Sequence, residues 1–217
     1  MASSWERLYT ATIGSGGGYE FDTGVAGITA KEHLKIIIKI IPQSGTFAGN
    51  PIENTIAIRF NGDTTSGNYP MRRSTNGASD DTNLVNYNYL YQGYGGTHVE
   101  RIFEADITNI TNKEKLVLME QTVTATGAGN APERTEAVGK WVNTSAQITD
   151  IQCHGISSFG TDYIPYGEGS IMTIWGADDD VLSYTYPNLK NGTTFLTSDT
   201  NLLFMWDSSA NEWNQVS

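Results

Sequence analysis

The residues with the clearest chemical potential are a cysteine and a histidine that follow one another in the chain. Cys153 is the only cysteine, and His154 is one of three histidines. A thiol becomes an effective nucleophile when a nearby imidazole takes up its proton. These two residues lie in a strand-like segment, however, where adjacent side chains point to opposite faces. The sequence therefore predicts a buried thiol, no cysteine–histidine dyad and no catalytic residues elsewhere.

Carboxylates are the second group with chemical potential. They cluster at predicted turns, at Asp63, at Asp80-Asp81 and at residues 178–180. Such clusters can hold a hard cation, but none has the ligand spacing of an EF-hand loop. No histidines or cysteines are paired at zinc-binding spacing. We predict solvated turn acids, no metal site and no cofactor, and we keep a glycosidase-like carboxylate pair as an alternative.

A run of tyrosines is the most distinctive local feature. Tyr87, Tyr89 and Tyr91 alternate along the chain, so on a strand their rings would share one face. A row of tyrosines can stack on sugar rings, form a subunit interface or pack within its own chain. All three alternatives stay open. The candidates for an interface or for glycan contact are Tyr87, Tyr89, Tyr91, Tyr94, Trp206 and Trp213.

Short strand-like segments must position these side chains. The strongest is 33–41, where every second residue from Leu34 to Ile40 is a large aliphatic. Residues 131–141 could hold a turn of helix, but no sustained helical stripe occurs. Short strands separated by Gly, Asn, Asp and Ser turns predict an all-β sandwich or barrel. Further strands are predicted at 5–13, 55–60, 83–92, 98–107, 116–124, 148–154 and 170–175.

A composition break at residues 178–180 divides the chain into two parts. We assign 1–178 to the β-sandwich domain and 179–217 to a small C-terminal β-hairpin-like module. Short strands are predicted within it at 195–197, 202–206 and 213–216. A module of about 35 residues can hardly support a core alone. We therefore expect it to pack on its neighbour or on another subunit.

The charge balance limits the classes of partner. The chain has 217 residues and a formal net charge of −11. This acidity disfavours binding to nucleic-acid phosphates or to anionic membranes. No signal-peptide pattern occurs at the N-terminus, and the apolar run 36–41 is too short to cross a bilayer. We expect synthesis in a cytoplasm, no membrane insertion, and chance matches at the glycosylation-like sites Asn109, Asn143 and Asn191.

Eight short segments, taken in order, carry a resemblance to a known family. They are residues 5–8, 31–36, 58–63, 68–69, 139–144, 148–149, 167–170 and 174–176. Together they resemble a family of structural proteins of tailed bacteriophages that occur among virion, tail and fibre-associated proteins. The C-terminal module resembles a short module of phage tail-fibre proteins. Its matching segments are residues 192–193, 199–201, 204–207 and 213–216.

The resemblance implies a jelly-roll-like antiparallel β-sandwich without catalytic residues. It further implies a non-enzymatic virion structural protein, either a tail-fibre or appendage component or a capsid decoration. The expected partners are copies of itself in a homotrimer or other cyclic oligomer, other virion proteins and host surface glycans. A carbohydrate-binding host-attachment module is the first alternative, and a glycan depolymerase is the second. The expected location is the virion.

Overall fold

The computed structural model describes most of the chain. The described residues are 5–24, 26–43, 46–47, 50–51, 55–78, 80–92, 100–124, 127–156, 164–178, 192, 194–196, 203–207 and 212–216. Their regular secondary structure consists of β-strands. Over these ranges there is no helix long and apolar enough to span a bilayer.

The strands, in chain order, are β1 Glu6–Thr12, β2 Glu20–Asp22, β3 His33–Ile40, β4 Thr46–Phe47, β5 Asn50–Pro51, β6 Thr55–Phe60, β7 Met71–Thr75, β8 Asp81–Leu84, β9 Leu90–Tyr91, β10 Arg101–Thr108, β11 Lys115–Val123, β12 Glu133–Trp141, β13 Ile151–Ile156, β14 Ile171–Ala177, β15 Thr194–Leu196, β16 Leu203–Asp207 and β17 Glu212–Gln215.

Eight of these strands form a jelly roll. One sheet contains the order β1-β14-β3-β10, and the other has the order β2-β13-β6-β9. The chain wraps as four nested antiparallel pairs, in which β1 pairs with β14, β2 with β13, β3 with β10, and β6 with β9. This nesting is the connection of a jelly-roll sandwich. The predicted all-β antiparallel sandwich of jelly-roll type is therefore confirmed.

The larger sheet extends beyond the jelly roll. Strands β11, β12, β7 and β8 continue it past β10, so that it has eight strands while the smaller sheet has four. The β11–β12 hairpin is an insertion between β10 and β13, and the β7–β8 hairpin is an insertion between β6 and β9. Both insertions join the same edge. The larger sheet therefore presents a broad outer face.

The core lies between the two sheets and follows the period of two. On β3, the alternate residues from Leu34 to Ile40 are fully buried, whereas Lys35 and Lys39 lie on the outer face. This confirms the predicted inner face of the strongest strand. The hydrophobic core includes Ile56, Ile58, Phe60, Phe103, Val117, Met119, Trp141, Ile151, Cys153, Met172 and Ile174.

Strand β12 replaces the turn of helix that the sequence allowed at residues 131–141. Residues Glu133–Trp141 pair along their whole length with β11 and in part with β7. Thr135, Ala137 and Trp141 are buried on the inner face. The turn of helix that the sequence allowed does not form, because pairing on both sides outweighs the weak local preference of a segment containing Gly139.

Asn109 ties three parts of the sandwich together. Its buried side-chain amide donates hydrogen bonds to the carbonyls of Lys31 and Ile148, and its Oδ1 accepts one from the Ile148 N–H. Asn143 uses its Oδ1 to accept hydrogen bonds from the backbone of Ser145 and Ala146. Two of the three glycosylation-like asparagines thus act as structural hydrogen-bonding groups, while the third lies outside the described residues.

By compactness the chain divides into two units. One unit is Trp5–Ala177, and the other comprises Met1–Ser4 and Asp178–Ser217. Our sequence division is drawn between residues 178 and 179. Within the second unit, β15, β16 and β17 form an antiparallel three-stranded sheet, in which Trp206 and Trp213 are register partners.

Candidate interaction surfaces

Tyr87, Tyr89 and Tyr91 lie together, but they do not lie on one strand. Only Tyr91 belongs to β9, and residues 85–89 are irregular. The predicted strand 83–92 is interrupted because β8 belongs to the larger sheet and β9 to the smaller one. The chain crosses between sheets at the tyrosines. Their ring centroids are nevertheless only 5.0 to 5.9 Å apart.

The geometry of these rings favours packing within the chain. The ring planes are inclined to one another by 50° to 75°, so the three rings form no common flat surface for stacking on a sugar. Tyr87 and Tyr91 pack against the core, and the Arg73 guanidinium lies 4.7 Å from the centroid of the Tyr91 ring. The Tyr91 hydroxyl donates to that of Tyr87 over 3.3 Å. Burial raises the pKa of Tyr89 and Tyr91.

The other predicted contact residues are described to different extents. Tyr94 lies outside the described residues. Trp206 is only 5% exposed, so little of its ring is available to a partner. Trp213 is placed by the backbone pairing of β16 and β17 alone. The tyrosine cluster belongs to one compact unit of the chain, and the two tryptophans belong to the other.

Cys153 and His154 point to opposite faces of β13. Cys153 lies in the hydrophobic core, whereas His154 makes an edge contact with the Tyr89 ring at a centroid distance of 6.1 Å. Burial raises the pKa of the thiol. Burial, helped by the charge of Arg59, lowers the pKa of His154 to about 4. At neutral pH the thiol is protonated and the imidazole is neutral, so this pair cannot act as an activated nucleophile and base.

The predicted turn acids make local contacts. Asp80 and Asp81 form ion pairs with Arg72 and Arg73, at 3.6 and 3.5 Å. Asp63 accepts hydrogen bonds from its own turn and from the indole of Trp141. Asp179 and Asp180 lie outside the described residues. In the part of the chain that the structure describes, no group of three or more His, Cys, Asp or Glu side chains is arranged to hold a metal ion.

An exposed apolar ridge on the larger sheet was not predicted from the sequence. Leu118 on β11 and Val138 on β12 are direct cross-strand partners on its outer face, 46% and 50% exposed. Leu116, the preceding outward residue of β11, is 57% exposed, and Trp5 is 47% exposed. We call Leu116, Leu118 and Val138 the apolar ridge. Contiguous exposed apolar side chains with polar surroundings mark interaction surfaces.

Two grooves flank the apolar ridge, and Leu118 and Val138 line both of them. The first, which we call the apolar groove, has a volume of about 380 Å³. Besides the ridge, its lining includes Trp5, His33, Asp106 and Thr108. The second, the charged groove, has a volume of about 330 Å³. Besides the ridge, its lining includes Arg72, Arg73, Ser74, Asp80, Glu120 and Glu136.

A row of three glutamates crosses the same outer face. Glu104, Glu120 and Glu136 are direct register partners on β10, β11 and β12. Like charges placed directly opposite one another destabilise a sheet. Glu104 is paired with Lys35 at 3.0 Å, and Glu136 with Arg134 at 3.3 Å. Glu120, at the centre, has no ion-pair partner among the described residues.

Several polar side chains are buried inside the sandwich, and their burial was not predicted. Gln92, Gln121 and Tyr166 are at most 1% exposed, and Arg101 is 2% exposed. Within the described ranges, both carboxamides and the Tyr166 hydroxyl have no hydrogen-bond partner. Gln121 occupies an inward position of β11, between the inward residues Met119 and Val123.

Comparison of the chain with models of protein families, with curated proteins and with solved structures finds no match. The exposure, polarity and charge of the surfaces are therefore the basis for inferring their function. The tyrosine cluster is largely self-contained. The apolar ridge, its two grooves and the glutamate row are exposed on one sheet face, where a partner can reach them.

Proposed function

We propose that this chain is a non-enzymatic structural protein of a tailed bacteriophage particle, either a tail-fibre or appendage component or a capsid decoration. The observation that carries the proposal is the apolar ridge on the outer face of the larger sheet. When a partner removes an exposed apolar surface of this kind from water, the free energy of the system falls, and binding is favoured. The resemblance of the sequence to phage structural proteins is the reason for proposing a phage particle as the location.

The mechanism is assembly. Two hairpins inserted into the jelly roll widen one sheet, and the widened part carries the ridge on its outer side. A broad sheet face with two grooves suits contact with another protein. In a particle that carries many copies, individually weak contacts gain strength from their number. A cyclic homo-oligomer could display such an array through surfaces other than the ridge.

A carbohydrate-binding host-attachment module is the second candidate function. Jelly rolls serve both as capsid proteins and as lectins, so the fold does not separate these roles. A sugar site at the tyrosine cluster would use Tyr87, Tyr89 and Tyr91. Their inclined and mutually packed rings support this role less well than the exposed ridge supports docking. No contact among the described residues favours the third candidate, a depolymerase.

The test of the proposal is the composition of virus particles. Particles from the source of this sequence are purified on a density gradient, and their proteins are quantified by mass spectrometry. The chain is expected in a constant ratio to the major capsid protein across preparations, and antibodies against it should label the capsid or the tail. Finding it only in the lysate would contradict the proposal. Hydrolysis of a host polysaccharide by the purified chain would favour the depolymerase.

A further inference from the structure

The outer face of β11 changes from apolar to acidic along its length. Leu116, Leu118 and Glu120 are its successive outward residues. Outward residues of a strand are spaced by roughly 6.6–6.8 Å. The ridge therefore ends directly beside a carboxylate. In the charged groove, Arg72 and Arg73 form their ion pairs with Asp80 and Asp81, and among the described residues neither forms an ion pair with Glu120.

A second copy of this chain is a poor occupant for such a surface. The chain has 24 acidic and 13 basic residues. Its described basic residues are largely committed to acids of the same chain. The ion pairs are Lys31–Glu6, Lys35–Glu104, Lys39–Glu100, Arg72–Asp80, Arg73–Asp81, Arg134–Glu136 and Lys140–Glu114. Face-to-face contact of two copies would also offer the Glu120 of each copy, unpaired within the described ranges, a largely acidic surface, which like charges oppose.

We propose that the outer face of β11 and β12 docks an extended segment of a different protein, which carries apolar side chains followed by a lysine or arginine. The apolar side chains occupy the apolar groove and contact Leu116 and Leu118. The cation lies above Glu120, roughly 7–13 Å from the apolar anchors given the strand spacing. This inference rests on the proposed function, since it names the kind of partner that the structural protein binds.

The two halves of the surface have different roles. Burial of the apolar anchors at the ridge supplies most of the affinity, as at the centre of other interfaces. The exposed pair with Glu120 contributes less to affinity, but it sets the orientation of the segment and makes binding sensitive to salt. Glu104 and Glu136 flank Glu120 but are paired with Lys35 and Arg134, so Glu120 is the carboxylate of the row that is left for the incoming cation.

Three synthetic peptides test the inference. The first, acetyl-Gly-Leu-Ser-Leu-Ser-Lys-Gly-amide, places two leucines and a lysine on one face of an extended chain. The second replaces lysine by glutamate, and the third replaces both leucines by serine. Each is titrated into the full-length chain labelled with ¹⁵N, and amide shifts are followed by NMR. The first peptide should shift the amides of Leu116, Leu118, Glu120 and Val138, and it should bind about three- to tenfold more tightly than the second at low salt.

Variants of the chain separate the two contributions. Glu120→Gln should reduce the preference for the lysine peptide over the glutamate peptide, and Leu118→Gln should weaken both. Glu133→Gln and Ile102→Thr are matched controls, because both residues are exposed on β12 and β10 but line neither groove. Equal binding of all three peptides, binding of none, or shifts mapping elsewhere would overturn the inference. Shifts of the ridge amides on dilution without peptide would instead identify a second copy as the occupant.

The same variants separate this inference from the proposed function. If the wild-type chain is absent from virions, the proposed function fails. If the wild type enters virions and both Leu118→Gln and Glu120→Gln enter them equally well, the proposed function stands and the docking inference fails.

Discussion

At the scale of single residues, Asp63 shows how a turn acid secures the core. Its carboxylate accepts hydrogen bonds from the Thr65 N–H at 2.9 Å, from Asn68 Nδ2 at 2.8 Å and from Trp141 Nε1 at 2.7 Å. Burial alone would raise its pKa, but these hydrogen bonds outweigh burial and lower the pKa of Asp63 from 3.8 to about 2. Trp141 is 1% exposed, so its indole N–H depends on this acceptor.

This depressed pKa predicts an acid-sensitive contribution to stability. The contribution is fully present above the unfolded pKa and is lost as the pH falls from about 4 to about 2. Because Asp63 is partly exposed, screening limits the contribution to about 1–2 kcal/mol. Asp63→Asn should lower the free energy of unfolding by that amount at pH 7 and flatten its pH dependence between 4 and 2. Denaturant titrations at stepped pH measure this, and an equal effect of Asp80→Asn would contradict the assignment.

Replacing Gln121 should have the opposite effect on stability from replacing Asp63, because the buried polar group of Gln121 weakens the core. Its carboxamide is buried and has no hydrogen-bond partner among the described residues. An unsatisfied buried polar group costs about 1–3 kcal/mol. Gln121→Met, which keeps the length of the side chain, should therefore raise the free energy of unfolding by about 1 kcal/mol. A loss of similar size in chemical denaturation would show that bound water or another group satisfies the amide.

At the scale of the strands, β11 has one face that lies in the core and one face that carries part of the apolar ridge. Met119 is fully buried, whereas its neighbour Leu118 is 46% exposed. Met119→Ala should lower the free energy of unfolding by about 2–4 kcal/mol, since it leaves a cavity between the sheets. Leu118→Ala should cost less than about 1 kcal/mol. Equilibrium unfolding in urea compares the two variants, and the reverse order would mean that the strand faces are assigned the wrong way round.

The sequence predicts some strands better than others for a physical reason. On β3, aliphatic residues alternate with Lys35 and Lys39, so only one face can be the inner one. On β11, Leu116 and Leu118 alternate with Val117 and Met119, so both faces are apolar and the period of two cannot choose between them. The exposed ridge could therefore not be predicted from the local pattern.

Local sequence patterns also could not predict the features that depend on pairing between distant segments. The row of Glu104, Glu120 and Glu136 exists only because three strands pair in one register. The tyrosines come together because β8 and β9 join different sheets, not because one strand aligns them. The sequence thus predicted the fold class, whereas the grouping of the tyrosines and the exposed ridge both depend on the topology.

At the scale of the whole molecule, the eight core strands close a jelly roll, and the inserted hairpins extend one of its sheets. The inner side of this extension joins the core through Val117, Met119 and Ala137. Its outer side carries the ridge, the two grooves and the glutamate row. The inner face of the extension therefore contributes to stability, and we propose that its outer face serves assembly.

The most direct test of this assignment is hydroxyl-radical footprinting of the isolated chain and of the chain within purified virions. We expect the labelling of Trp5, Leu116, Leu118 and Val138 to fall sharply in the particle, because a partner covers the ridge. Exposed Ile102, which lies outside both grooves, serves as the internal reference. Unchanged labelling of the ridge in particles that contain the chain would show that no partner covers it.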